Sequence, residues 1–409
     1  MTANTHFLEE NTLNSVKIKD NIYWVGAIDW NVRDFHGYST DRGTTYNAFL
    51  IIDEKVTLID TVKSSLKADF LNRLAEIIDP EKIDYIVVNH VEMDHSGILP
   101  EMVELIKPEK VICSKMGQKA LVEHFHQPDW PYEIAEPGKD ISLGEKTLSF
   151  IETRMLHWPD SMFTYLKEDK MLFSSDAFGQ HLATSERFDD EVDQAILIEE
   201  LTKYYANILT LYSPKVKKLI ETVKEIGLEV DMIAPDHGVI WRSNPGMPLE
   251  YYEKWSNNIG DGRALVIYDT MWHSTEKMAK EVVAGLQDEG VSVKLLNLRY
   301  HHRSDVMREV LNASAVVLGC PTLNNGLLPR MAGFLMYMKG LRPANKIGAA
   351  FGSFGWSGEA VKQLNGAMEE MKFDIVDPGF RVKYVPEKPD LQKCTELGRT
   401  VGKKIKQSQ

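Results

Sequence analysis

Four potential metal ligands fall within six residues of the stretch "VVNHVEMDHSG", residues 87–97: His90, Glu92, Asp94 and His95. The apolar run "DYIVV" leads straight into them, so a buried strand ends where the ligands begin. Further candidates stand at the ends of later apolar runs. They are His157 in "MLHWPDSM", Asp176 in "LFSSDAF" and His237 in "APDHG". Four histidines and three carboxylates make an inventory for two metal ions. An all-imidazole triad suits zinc. Glu92 instead supplies negative charge and a hard oxygen donor, which favours iron or manganese, ions that cycle between +2 and +3. One carboxylate must bridge the pair, and Asp176 is the expected bridge because it comes from a separate strand. Two histidines and one carboxylate per ion, with the bridge shared, leave open positions for a small diatomic substrate. On residue counts alone, a zinc hydrolase remains the alternative.

A second constellation lies beyond residue 264. The run "YDTMWHSTEKMA" places Thr270, Met271, Trp272, His273, Ser274 and Thr275 between a predicted strand and a predicted helix. Hydroxyls at a helix N-terminus bind a phosphate without a cationic side chain, and this stretch resembles the phosphate loop of flavodoxin. Two more loops follow later strands. One carries Pro321, Thr322, Leu323, Asn324, Asn325 and Gly326; the other carries Ser353, Phe354, Gly355, Trp356, Ser357 and Gly358. In a doubly wound sheet a ligand sits at the switch point, touching the loops after the first, third and fourth strands. Trp272 and Trp356 are placed to flank a flat ring, with Asn324 and Asn325 at its polar edge. The Gly-rich dinucleotide fingerprint is absent, so a mononucleotide fits better than NAD or FAD, and the resemblance to flavodoxin implies FMN.

The elements that must position these residues change character along the chain. Its 409 residues are too many for one ordinary core. The first part is β-rich and then mixed: "TYNAFLIIDEKVTLIDTV" reads as two strands with a break at Asp53–Lys55, and helices are expected near 68–78, 193–210 and 215–226. This pattern suits an αββα sandwich over residues 1–258. "NNIGDGRAL" marks the boundary. From 259 to 409 strands and helices alternate strictly, which implies a doubly wound parallel sheet. The fold class is therefore α/β, a sandwich followed by a flavodoxin-like domain.

Composition narrows the context. A net charge of −13 argues against nucleic acid and anionic membrane as partners. The stretch "MTANTHFLEENTL" lacks the layout of a signal peptide, and no apolar run is long enough to cross a bilayer, so a cytoplasmic protein is expected. Cys113, Cys320 and Cys394 are far apart, so neither a rubredoxin-type site nor an iron–sulfur cluster has its ligands here. His124, His126, His181, His301 and His302 read as solvated surface.

The "HVEMDH" loop resembles the metallo-β-lactamase signature His-x-His-x-Asp-His, with glutamate in place of the second histidine. Together with His157, Asp176, His237 and the "YDTMWHST" and "PTLNN" loops, it makes nearly the whole chain similar to the flavodiiron proteins. The resemblance implies an FMN- and diiron-dependent oxidoreductase that reduces dioxygen to water, nitric oxide to nitrous oxide, or both. It assigns His90, Glu92 and His157 to one iron and Asp94, His95 and His237 to the other, bridged by Asp176. In some members the counterpart of His95 swings away. The electron count agrees: dioxygen needs four electrons, two ferrous ions supply two and reduced FMN two more. The resemblance also implies a head-to-tail homodimer or dimer of dimers, and a separate donor, rubredoxin or a reduced deazaflavin coenzyme. His36 and Tyr204 or Tyr205 are candidates for donating protons or positioning the gas. The competing readings are a zinc hydrolase with an accessory flavodoxin-like module, and an electron carrier using FMN alone.

Overall fold

The computed structural model describes residues 14–408. The N-terminal stretch read against a signal peptide lies outside them. Two compact units emerge. One comprises the segment ending at Phe35, with Thr40–Leu201 and Lys218–Glu250. The other comprises His36–Ser39, Thr202–Lys217 and the chain from Tyr251.

The first unit is built on two sheets. The larger runs in the order Val16–Lys19, Ile22–Trp24, Phe49–Ile51, Thr57–Ile59, Tyr85–Val88, Lys110–Cys113, Tyr132–Ile134. Its first four strands are antiparallel and the rest join in parallel. The smaller sheet runs Ile141–Ser142, Thr147–Glu152, Met162–Leu166, Met171–Phe173, Met232–Ala234. Alternation along the strands sorts side chains between two cores. Phe49, Ile51, Ile59 and Val87 pack against Phe150, Met162, Leu166 and Phe173 of the smaller sheet. Leu50, Leu58, Ile86 and Val88 point the other way, onto Phe70, Leu74, Met102 and Leu121 of the covering helices. The sheets are thus a sandwich with helices Lys67–Ile77, Leu99–Ile106 and Lys115–Phe125 outside the larger one.

Three details depart from the sequence expectations. The stretch expected to form two strands forms three, because Thr44–Tyr46 leaves the large sheet and pairs with Ala27–Asp29. The break falls at Asn47, whose side chain donates to the carbonyls of Pro235 (2.7 Å) and Gly238 (3.0 Å). The helix expected over 193–210 ends its α-helical part at Tyr204, passes through a π-helical stretch, Tyr205–Leu209, and a 3-10 turn, and continues as Ser213–Glu225. A helix at Gly246–Ser256 was not expected.

The second unit is a parallel sheet in the order Val293–Asn297, Ala264–Tyr268, Ala315–Gly319, Ile347–Phe354, Asp374–Ile375, with Phe380–Lys383 also pairing to the fourth. Helices Ser274–Asp288 and Lys388–Ser408 cover one face through Val282, Leu286, Leu397 and Val401. Helices Arg303–Asn312, Pro329–Leu341 and Glu359–Glu370 cover the other through Val306, Phe334 and Leu364. Among the described residues no helix is long and apolar enough to cross a membrane.

Candidate metal centre and flavin cavity

Each candidate ligand of the sandwich follows the C-terminal end of a strand. His90, Glu92, Asp94 and His95 follow Tyr85–Val88; His157 follows Thr147–Glu152; Asp176 follows Met171–Phe173; His237 follows Met232–Ala234. Strand ends converge there, so residues distant in sequence meet. The root of the first loop is pinned by Asp60, which accepts from the Asn89 backbone N–H (2.8 Å) and side chain (2.7 Å). Thr61 donates its hydroxyl to the His95 carbonyl at 2.6 Å.

All seven predicted ligands meet at this end of the sandwich. His90, Glu92, His157 and Asp176 form one cluster and Asp94, His95 and His237 another, each with donor atoms within 4.8 Å of one another. Asp176 divides its carboxylate between them. Its Oδ2 lies 3.0 Å from His157 Nε2 and 3.4 Å from His90 Nε2. Its Oδ1 lies 3.2 Å from His237 Nε2 and 3.4 Å from His95 Nε2. Glu92 approaches His157 Nε2 at 3.2 Å, and Asp94 approaches both His95 and His237 Nε2 at 3.3 Å. His95 therefore turns its Nε2 inward.

Groups behind the cluster orient the rings. Asp160 Oδ2 lies 3.0 Å from His90 Nδ1 and accepts from the Val91 N–H at 2.8 Å. The Thr45 carbonyl lies 2.7 Å from His237 Nδ1. Both rings are thereby left with Nε2 facing the cluster, the tautomer a metal needs. His181, expected on the surface, is buried at 1% exposure. Its Nδ1 lies 2.9 Å from the Thr44 hydroxyl and its ring centroid 4.8 Å from that of His237. The correction has a packing cause: Phe35 and His237 close over it. Asp160 and Asp236 were not singled out from the sequence. They stand inside the same short motifs as His157 and His237, three residues after one and immediately before the other.

The electrostatics fit a cation pair. Burial alone would push the histidines towards neutrality, but the facing carboxylates outweigh it. They raise His90 and His95 well above the usual imidazole range and hold His237 at about 9. Burial would raise Glu92, yet the His157 and His90 imidazoles hold it down at about 2. Asp236 is pushed up to about 6 by burial, against the pull of His95. Asp94 Oδ1 and His95 Nδ1 are buried with no hydrogen-bond partner among the described residues. Nitrogen and hard oxygen donors converging in this ratio match a pair of redox-active first-row ions.

The parallel sheet holds a separate cavity of about 460 Å³ at its C-terminal edge. Thirteen of the expected flavin residues line it: Met271, Trp272, Ser274, Pro321, Thr322, Leu323, Asn324, Asn325, Ser353, Phe354, Gly355, Trp356 and Ser357. Thr270, His273, Thr275, Gly326 and Gly358 do not line it. Thr275 is instead buried with its hydroxyl 3.0 Å from that of Ser353. Tyr384 and Val385, not expected, complete the wall from the loop after Phe380–Lys383. The helix Ser274–Asp288 begins with His273 at φ 65° and no side-chain cap, and the Thr270 hydroxyl is buried with no hydrogen-bond partner among the described residues. First-turn N–H groups and nearby hydroxyls left uncapped suit a phosphate. Trp272 and Trp356 are 88% and 87% exposed at the rim. His36 and Tyr204 belong to this second compact unit, not to the unit of the metal cluster. His36 is exposed; Tyr204 and Tyr205 are buried, Tyr205 with its hydroxyl 3.0 Å from that of Ser213.

Comparison with known proteins follows the same division. Residues 44–238 match the ODP family beta lactamase and residues 266–398 match flavodoxin. A nitric oxide reductase of Moorella thermoacetica is 48% identical over 393 residues, covering 95% of this chain and 98% of that protein. The solved rubredoxin oxygen:oxidoreductase of Desulfovibrio gigas superposes with a TM-score of 0.95 at 46% identity, covering 96% of this chain and 99% of that one. The flavodiiron protein of Giardia intestinalis superposes with a TM-score of 0.93 at 34% identity, covering 98% of each. The chain belongs to the flavodiiron protein family. It is accordingly an oxidoreductase whose cofactors are FMN and a pair of iron ions. The sandwich of this flavodiiron protein carries the candidate donor set for the irons, and its parallel sheet carries the candidate flavin cavity.

Proposed function

We propose that the chain reduces dioxygen to water, nitric oxide to nitrous oxide, or both. In this reading His90, Glu92 and His157 would hold one iron, Asp94, His95 and His237 would hold the other, and Asp176 would serve both. The observation that carries it is the division of one carboxylate between two imidazole–carboxylate clusters. When bound, the irons and FMN together supply the electrons. The chain contributes the rest. Asp160 and the Thr45 carbonyl keep two ring nitrogens aimed inward. Burial of five of the seven donors, with Glu92 and His157 half-buried, limits bulk water and strengthens the charge interactions within the cluster. His36 and Tyr204 are our candidates for moving protons or positioning the gas, and the loops bearing Thr270, Ser274, Asn324 and Trp356 are those for FMN.

The relatives' names support the substrates and a rubredoxin as electron donor; a reduced deazaflavin coenzyme is the alternative donor. A donor separate from this sequence fits its three scattered cysteines, which offer no rubredoxin-type site. We also propose a cytoplasmic homodimer or dimer of dimers, and a domain boundary between residues 258 and 259.

The test is metal and flavin analysis of purified protein, followed by anaerobic titration with each gas and a fixed donor. Two irons and one FMN per chain with turnover of at least one gas are expected. Zinc without flavin would instead favour the hydrolase reading. A Glu92→Ala variant that kept full turnover would favour the FMN-only electron carrier.

A further inference from the structure

Two arginines of the sandwich unit are buried and take no part in the chemistry assigned above. Arg73, on helix Lys67–Ile77, and Arg187 are 2% and 3% exposed. Both guanidinium groups lie against the indole of Trp24, at 5.1 Å and 4.4 Å from its centroid. Sharing one ring keeps the two cations within about 10 Å of each other, where like charges in a buried setting repel.

Their hydrogen bonds go to neutral carbonyls. Arg73 Nη1 donates to Gly26 at 2.9 Å; Arg187 donates to Thr184 and, at 3.4 Å, to Ser185. Among the described residues Arg73 Nε and Arg187 Nη1 are buried with no acceptor, and no carboxylate forms an ion pair with either. The carboxylates whose charges reach the two guanidinium groups, Asp69 and Glu76 for Arg73 and Glu186 and Glu191 for Arg187, form no ion pair with them, and three of the four have hydrogen bonds of their own. Glu76 accepts from the Ser15 N–H, Glu186 from Thr184 and Ser185, and Glu191 from the backbone N–H groups of Arg187 and Phe188 and from Arg242.

A buried lysine can escape such a position by losing its proton. A guanidinium stays charged throughout the working range. Two buried positive charges with orphaned donors therefore call for a negative partner. The indole faces offset part of the charge but accept neither N–H. We propose that Arg73 and Arg187 hold a small monovalent inorganic anion of the halide class inside the sandwich. Trp24, the ring that both guanidinium groups lie against, belongs to the core between the two sheets. A weakly hydrated monoanion fits better than phosphate or sulfate, which demand more donors and a larger desolvation.

The probe is bromide. Crystals of the intact, cofactor-loaded protein grown or soaked in sodium bromide should show one anomalous peak within hydrogen-bond distance of Arg73 Nε or Arg187 Nη1. Arg187→Met crystals should lack it. Water density in its place, or bromide bound only elsewhere, would overturn the proposal. Solution stability gives an independent reading should the variant fail to crystallise. Thermal unfolding in chloride should rise and saturate by roughly 5–10 °C over gluconate at equal ionic strength. That rise should vanish in Arg73→Met or Arg187→Met. An equal response in wild type and variants would count against the site.

Discussion

Asp160 shows how a residue that touches no metal can govern one. Its Oδ2 accepts from His90 Nδ1 and from the Val91 N–H, so it fixes the tautomer and ring angle of the first histidine in the loop. Carboxylates in this position raise the basicity of the ring and hold its direction, and their loss commonly costs 10–100-fold in metal affinity. Asp160→Ala should therefore lower iron retention by roughly 10–100-fold in a chelator competition, while FMN content stays unchanged. Asp160→Asn, which keeps the shape and still accepts one hydrogen bond, should recover part of the loss. Equal retention in all three proteins would remove Asp160 from this role. At this scale the seven inward residues were legible because ligand types recur directly after apolar strands. Asp160 and Asp236 were not, since sequence does not tell whether a carboxylate beside a ligand faces the metal or the back of a ring. His181 misled because a lone histidine in a loop carries no mark of the Phe35 and His237 rings that bury it.

At the scale of elements, two helices of the parallel-sheet unit cross with almost no space between them. A Cβ added at Gly285 would meet the Thr395 carbonyl oxygen at 1.9 Å, and one at Gly398 would meet the Val282 carbonyl oxygen at 2.2 Å. Helix propensity alone would reward alanine at either site by about 1 kcal/mol. The clash is with backbone, which cannot swing aside, so Gly398→Ala should destabilise by roughly 1–3 kcal/mol. Gly366, with open space around its Cβ in helix Glu359–Glu370, is the control: Gly366→Ala should gain about 0.5–1 kcal/mol. Urea unfolding of the three proteins separates packing from propensity. A second element-scale feature is Lys346, whose buried ammonium donates to the carbonyls of Leu311 (2.9 Å) and Ala313 (2.6 Å) at the end of helix Arg303–Asn312. Burial lowers its pKa from 10.5 to about 8. The folded state thus binds this proton less tightly than the unfolded chain. The penalty is fully present below pH 8 and fades as pH rises towards 10.5, a difference of about 3 kcal/mol. Between pH 8 and pH 10 wild type should gain stability relative to Lys346→Met; a constant difference in urea midpoint would contradict this. Helix existence in this unit was legible because strict alternation of apolar strands and amphipathic helices leaves few options. The irregular pieces were not. Asn47 breaks a strand by bonding a loop almost two hundred residues away, and the turn Tyr205–Leu209 departs from α-helical spacing without any Gly or Pro to announce it.

Among the described residues, each of the four hydrophobic clusters draws on one unit alone. The two clusters of the sandwich draw on residues from Ile22 to Ile240, and the two that flank the parallel sheet draw on residues from Ala264 to Ile405. In the function proposed above, each unit is also the seat of one cofactor. A ligand that binds only the folded form stabilises that form by mass action, and here each ligand acts on its own core. Calorimetry of the loaded protein should therefore resolve two transitions. Chelating the iron should lower one of them by roughly 5–10 °C and leave the other in place, because the buried histidines and carboxylates lose the cations that reconcile their charges. Stripping FMN should do the reverse, lowering the transition of the unit whose cavity opens between the loops of Met271, Asn324 and Trp356. Intrinsic tryptophan fluorescence assigns the transitions, since Trp24 and Trp241 are buried in the sandwich unit and Trp272 and Trp356 stand exposed at the flavin cavity. A single transition that shifts equally under both treatments would mean the units unfold as one, and that the separation of cores does not carry through to energetics.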